Sequence, residues 1–200
     1  MRRDTPLLDK ILVIAGDDKL GRLFISKLPN SPAIVAVFDR SNDFRRILKI
    51  LLRGSLTPTL FLKMGLADLA RRNTVLSRPV REVRTNSDIR RLSLEYNIRR
   101  AFLFRAAIIV DRETLATGVE FINTHCATLP HYRGLGAISR ALAEGNYRQN
   151  ATMHKISTSV DYGETVAVEP YTLIPALSYK ANEDIAYEAG MRLLLREIPA

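Results

Sequence analysis

Cysteine is almost missing. Cys126 is the one thiol among 200 residues, so no internal disulfide can form and the fold needs no oxidising compartment. Long apolar runs are missing too, since none approaches the ~20 residues of a bilayer-spanning helix. Residues 1–10 carry charges without the apolar centre of a secretory leader, so a cytoplasmic location is expected. Low-complexity tracts and internal repeats are lacking. Acidic residues fall short of basic ones, 21 against 30, for a formal net charge of +9. That balance suits either a plain solvated surface or a polyanionic partner: a nucleotide, a sugar phosphate, RNA or an anionic membrane face. The cations come as scattered pairs (Arg45-Arg46, Arg71-Arg72, Arg90-Arg91, Arg99-Arg100). Neither an RNP-like aromatic set nor zinc-finger spacing accompanies them. Dedicated nucleic-acid binding and a metal site are therefore not expected. What is present is 46% hydrophobic residues, enough to bury one sizeable core, so a single domain over residues 1–200 is expected.

The run KILVIAG at residues 10–16 reads as a strand buried on both faces, the kind found in parallel sheets. Helical spacing follows over 20–28, and AIVAVF at 33–38 is a second buried strand. Residues 41–79 are predicted as a helical insert. Phe44, Ile47, Leu48, Leu51 and Leu52 fall on one helical face, Gly54 and Pro58 break the pattern, and 60–69 resume it. One reading packs this insert on the sheet; the other makes 44–69 a basic amphipathic surface touching a membrane or partner. Further strands are predicted at 80–84, 101–104 and 119–123, with a late pair at 151–157 and 165–173. Helices are predicted from Ser87 as N-cap, over 111–116, over 137–144 ended by Gly145, and over 182–197. Strands alternating with helices imply an open, doubly wound, mostly parallel Rossmann-like α/β sheet, with ligands beyond the strands' carboxyl ends.

One such end carries chemistry. Asn123 and His125 stand two apart, so in an extended chain both point to one face. An amide N–H can donate to a developing oxyanion, and an imidazole can donate or carry a proton near neutral pH. The pair suits acyl transfer. The run Asn123-Thr-His125-Cys-Ala-Thr-Leu-Pro130-His-Tyr132-Arg133-Gly134, followed by Thr152-Met-His154 and Asp161-Tyr-Gly163, resembles the signature of the formyltransferase family that uses 10-formyltetrahydrofolate. The resemblance covers 101–173 well and the opening β-α-β loosely. It implies that Asn123 and His125 stabilise a tetrahedral oxyanion while Asp161 orients the histidine and helps move protons. It further implies that the folate packs on loops 105–109 (Arg105, Ala106, Ala107, Ile108, Ile109) and 158–162, including Thr158 and Val160. Tyr132 and Arg133 are expected near the substrate, Arg133 as an anion contact. His154 reads as a core or supporting histidine, His131 as exposed, and Cys126 as a small buried residue.

Two features bear on the acceptor. The first β-α turn, Gly16-Asp-Asp-Lys-Leu-Gly21, lacks a Gly-Ser-Asn-type phosphate loop, and its acidic pair would oppose a phosphate at the helix start. The chain is also expected to lack room for a tRNA-binding C-terminal domain. Within the resemblance, the acceptor is expected by elimination to be a primary amine on an amino sugar, carried by a nucleotide. Glycinamide ribonucleotide, water, or a non-catalytic binding or membrane-associated role on the same fold remain alternatives. Ala127 and Arg140 replace the Ser and Trp common in the family, which affects the pocket's shape rather than its reacting groups.

Overall fold

The computed structural model describes residues 10–41, 57–77 and 79–199. In chain order these form β1 (Lys10–Gly16), α1 (Lys19–Lys27), β2 (Ile34–Asp39), α2 (Pro58–Leu69), β3 (Arg81–Val83), α3 (Asn86–Glu95) and β4 (Ile98–Phe104). Then come α4 (Arg112–Leu115), β5 (Glu120–His125), α5 (Ala137–Ala143), β6 (Arg148–Lys155), β7 (Thr165–Thr172) and α6 (Tyr179–Glu197). The seven strands make one sheet in the order β3-β2-β1-β4-β5-β6-β7. The first five strands pair in parallel, and β6 and β7 continue antiparallel. This is the doubly wound α/β sheet expected from the alternation of patterns.

The unbroken apolar run of β1 is explained by its neighbours. Side chains alternate across a strand, so Ile11, Val13 and Ala15 pack with Phe24 and Leu194 on one face. Leu12 and Ile14 pack with Ile89 and Leu92 on the other. Each face needs apolar residues, and the period-2 polar signal vanishes. Helix starts are set by side-chain caps. Asp18 caps α1 and Ser178 caps α6. The expected cap Ser87 is instead the second residue of α3. Thr85 caps it, in a reciprocal box with Asp88, because only Thr85 stands three residues before an acidic partner.

The predicted insert 41–79 needs two further corrections. Phe44, Ile47, Leu48, Leu51 and Leu52 lie outside the described residues. Pro58 does not break α2 but opens it at the first turn, behind the N-cap Thr57, where a missing N–H costs nothing. The helix does not pack on the sheet either. Ala67 is its one buried residue, and it lies beside α6. Arg71, just past its end, fastens it there. The guanidinium bonds Glu183 at 2.8 Å and Asp184 at 2.7 Å, with the Arg71 and Glu183 side chains 7% and 2% exposed. Deleting one partner of such a pair strands a buried charge. Arg71→Ala should therefore lower stability by about 3 kcal/mol in urea unfolding, whereas Arg72→Ala, on the same turn, should be nearly neutral.

Candidate active site

β1, β4 and β5 end side by side, and their carboxyl ends open into a cleft of ≈ 570 Å³. Asn123 and His125 both line it, as their spacing on β5 requires. Asp161 reaches them from the loop between β6 and β7. That loop closes tightly over the end of β6: a side chain at Gly163 would meet the Lys155 carbonyl oxygen at 1.5 Å, so glycine is needed there. Asp161 itself has φ 56°, a left-handed conformation that Asp tolerates better than most residues. Its Oδ2 accepts from the Gly134 N–H at 2.8 Å. Oδ2 lies 3.5 Å from His125 Nδ1, and Oδ1 lies 3.4 Å from His154 Nε2.

Hydrogen-bond logic fixes the ring protons. A carbonyl only accepts, so His125 Nε2, 2.6 Å from the Tyr132 oxygen, carries hydrogen. The neutral ring then has its lone pair on Nδ1, facing Asp161. His154 Nδ1 lies 3.0 Å from the Lys155 oxygen and donates, which leaves its Nε2 as an acceptor. Asn123 Nδ2, 3.2 Å away, donates one hydrogen to it. This sets the amide's orientation and leaves its second N–H for another acceptor.

Charge follows from the same contacts. Burial pushes His125 below the usual histidine range, against the pull of Asp161 and the Tyr132 carbonyl. Burial alone would raise Asp161, but the His154 side chain in its donating form, the charge of a protonated His125 and the Gly134 N–H outweigh it and hold the carboxyl at about 2. The Gly134 donor acts in every protonation state of the rings. The resting site thus pairs a carboxylate with a neutral imidazole. A proton arriving at His125 Nδ1 would be met by the carboxylate already facing it.

The loop residues Arg105, Ala106, Ala107, Ile108, Ile109, Thr158 and Val160 all line the cleft. Tyr132 and Arg133, expected near the substrate, do not. Tyr132 is buried with its hydroxyl on Glu144, and its carbonyl is what orients His125. Arg133 donates to the Asp161 carbonyl at 3.0 Å and stacks on Tyr162. Both therefore brace the site from outside. Arg140 donates to the carbonyls of Leu135 and Arg133, stiffening the same turn. His154 is the site residue that spacing undervalued. Its register opposite Asn123 arises from an antiparallel return that the sequence signals only as a strand pair. Cys126 is buried, with its thiol pushed up to about 12 by burial, which leaves no thiolate nucleophile here.

The first turn holds its own charges. Asp18 Oδ1 accepts from the Gly21 N–H at 2.8 Å, and its Oδ2 holds Arg105 at 2.6 Å. Asp17 pairs with Arg22 and Arg40. Lys19 Nζ donates to the Leu69 and Arg71 carbonyls.

A family model described as formyl transferase matches residues 63–198. The methionyl-tRNA formyltransferase of Bdellovibrio bacteriovorus is 26% identical over 77 residues, which is 38% of this chain and 24% of that protein's length. Phosphoribosylglycinamide formyltransferase from Anaplasma phagocytophilum superposes with a TM-score of 0.65 at 15% identity, over 94% of this chain and 83% of that one. The Streptococcus pneumoniae enzyme of the same name gives 0.60 at 20%, over 94% and 96%. A Mycobacterium tuberculosis protein, provisionally described as a sugar N-formyltransferase, gives 0.64 at 13%, over 94% and 66%. At these identities the structural likeness establishes the fold.

The low His125 value has a measurable consequence. Below the ordinary histidine value of 6.5 the unfolded chain takes up a proton that the folded chain refuses, so stability falls as pH drops. In thermal scans between about pH 7 and about pH 5, His125→Asn should lose this part of the slope and show a flatter profile than the unaltered protein. Equal slopes would contradict a desolvated ring.

Proposed function

The chain belongs to the formyl transferase family, and on that premise we propose that it moves a formyl group from 10-formyltetrahydrofolate to a primary amine, as a single catalytic domain. The observation that carries this reading is the convergence of the Asn123 amide, the His125 imidazole and the Asp161 carboxylate on one cleft wall. The folate suits the cleft, whose walls near Ile108, Ile109 and Val160 are apolar while the loop backbone supplies polar groups. Bound there, it supplies an activated formyl carbon. The free N–H of Asn123 donates to the formyl oxygen as charge develops on it. Nδ1 of His125 takes the proton that the attacking amine must lose, Asp161 stabilises the imidazolium that results, and His125 then returns that proton to the folate nitrogen as the bond from that nitrogen to the formyl carbon breaks. Preorganised donors of this kind are worth ~3–4 kcal/mol each. His154 holds the Asn123 amide in its donating orientation.

For the acceptor, the first turn favours an amino sugar over glycinamide ribonucleotide. The N-terminus of α1 is where a phosphate would bind. Here Asp18 caps it, and Lys19, Arg22 and Arg105 are each engaged by neighbours. A phosphate would meet carboxylates rather than open N–H groups. A nucleotide carrier would then have to place its diphosphate elsewhere on the basic surface.

The test is a screen of amino-sugar nucleotides and glycinamide ribonucleotide with 10-formyltetrahydrofolate, read by mass gain. Formylated amino sugar and unchanged glycinamide ribonucleotide are expected. Formate released without any acceptor would reassign the reaction to water. Asn123→Ala, His125→Ala and Asp161→Ala should each fold but lose at least about 100-fold in kcat/KM. Normal turnover in any two would remove these roles.

A further inference from the structure

The loop after β4 is held by a residue that lies on neither the loop nor the reacting groups. Asp39 ends β2, two strands away from β4 in the sheet, and is 6% exposed. Its Oδ2 accepts from the Ala107 N–H at 2.5 Å and the Ile108 N–H at 2.8 Å. Its Oδ1 accepts from the Ser41 N–H at 2.8 Å. No cation pairs with this carboxylate among the described residues. A buried, unpaired charge is costly unless strong hydrogen bonds offset it, and three backbone donors do so here. Reaching Asp39 takes the loop across the end of β1, where a side chain at Gly16 would meet the Arg105 carbonyl at 2.7 Å. Arg105 turns into the loop at φ 54°, which is uncommon for a long side chain. Asn86 fastens the far end, donating to the Ile109 carbonyl and accepting from the Asp111 N–H.

The fastening decides what the loop offers. A trans peptide is planar, with its C=O opposite its N–H. The N–H groups of Ala107 and Ile108 face Asp39, so the carbonyls of Ala106 and Ala107 face away from it. Neither carbonyl accepts a bond from another described residue, and both residues line the cleft. We infer that Asp39 is a positioning residue for the formyl donor: it orients the Ala106 and Ala107 carbonyls to accept from the N–H edge of a flat, amino-substituted heterocycle. This rests on the proposed folate donor and adds to it the side chain on which donor affinity depends.

The test is titration calorimetry with 5-formyltetrahydrofolate, alongside hydrogen exchange and melting curves, on the unaltered protein and on Asp39→Asn. The amide keeps the shape but loses one acceptor. Folate Kd should rise at least about tenfold, with faster exchange confined to residues 105–110 and a modest change in Tm. KM for the amine should stay unchanged. Equal folate affinity in both proteins would overturn the role of Asp39 while leaving the donor intact. No folate binding by the unaltered protein would overturn the donor and this role together. Should Asp39→Asn fail to fold, Asn86→Ala, at the partly exposed far end of the loop, is measured the same way. Weaker folate binding supports the clamp, and unchanged binding overturns it.

Discussion

The ionised carboxylate of Asp161 joins segments that are distant in the chain. It sits between His125 from β5 and His154 from β6, and it accepts from Gly134 in the turn before α5. A carboxylate with so little exposure needs compensation to stay an anion, which the Gly134 N–H gives directly and the His125 ring gives once it carries a proton. The consequence is a division of charge. Asp161 stays ionised and His125 stays neutral, with Nδ1 facing the carboxylate at 3.5 Å. Much of the surrounding structure serves that arrangement: the Tyr132 carbonyl and Lys155 carbonyl set the two rings, and Arg133 steadies the Asp161 backbone.

The cleft has a second constraint at its other end. In an open α/β sheet the first helix start is the natural seat of an anion. This chain has placed its own anions there, tied to Arg105, Arg22 and Arg40. The cations near the turn are thereby neutralised inside the protein rather than offered to a ligand. Helix α2 adds Phe61 and Met64 to the cleft and is fixed to α6 through Arg71. This end of the cleft is therefore shaped by ion pairs and an apolar helix, and the end beside the loop after β4 by backbone carried on buried clamps.

Local rules made much of this legible in the sequence. β1 and β2 were readable because a strand covered on both faces must be apolar throughout. The late strand pair of β6 and β7, the Asp111 cap of α4 and the Gly145 stop of α5 also follow from near-neighbour chemistry. Asn123 and His125 could be placed on one face from their period alone. The misses share a different cause. Ser87 was a reasonable cap by type, yet Thr85 won through its partner Asp88. Pro58 looked like a break and proved to be a beginning. Tyr132 and Arg133 were expected near the substrate, but neither lines the cleft: the Tyr132 hydroxyl bonds Glu144 and Arg133 Nε bonds the Asp161 carbonyl.

By itself the sequence determined the sheet, the family signature and the placing of Asn123 and His125 on one face of β5, because each depends on periodicity or on residues close together in the chain. Only the tertiary structure decided that His154 faces Asn123, that Asp161 meets His125, that Asp18 holds Arg105, and that Asp39 holds the loop after β4. These depend on strand register and loop crossing, which bring groups tens of residues apart to within a hydrogen bond, and no local pattern encodes such a distance.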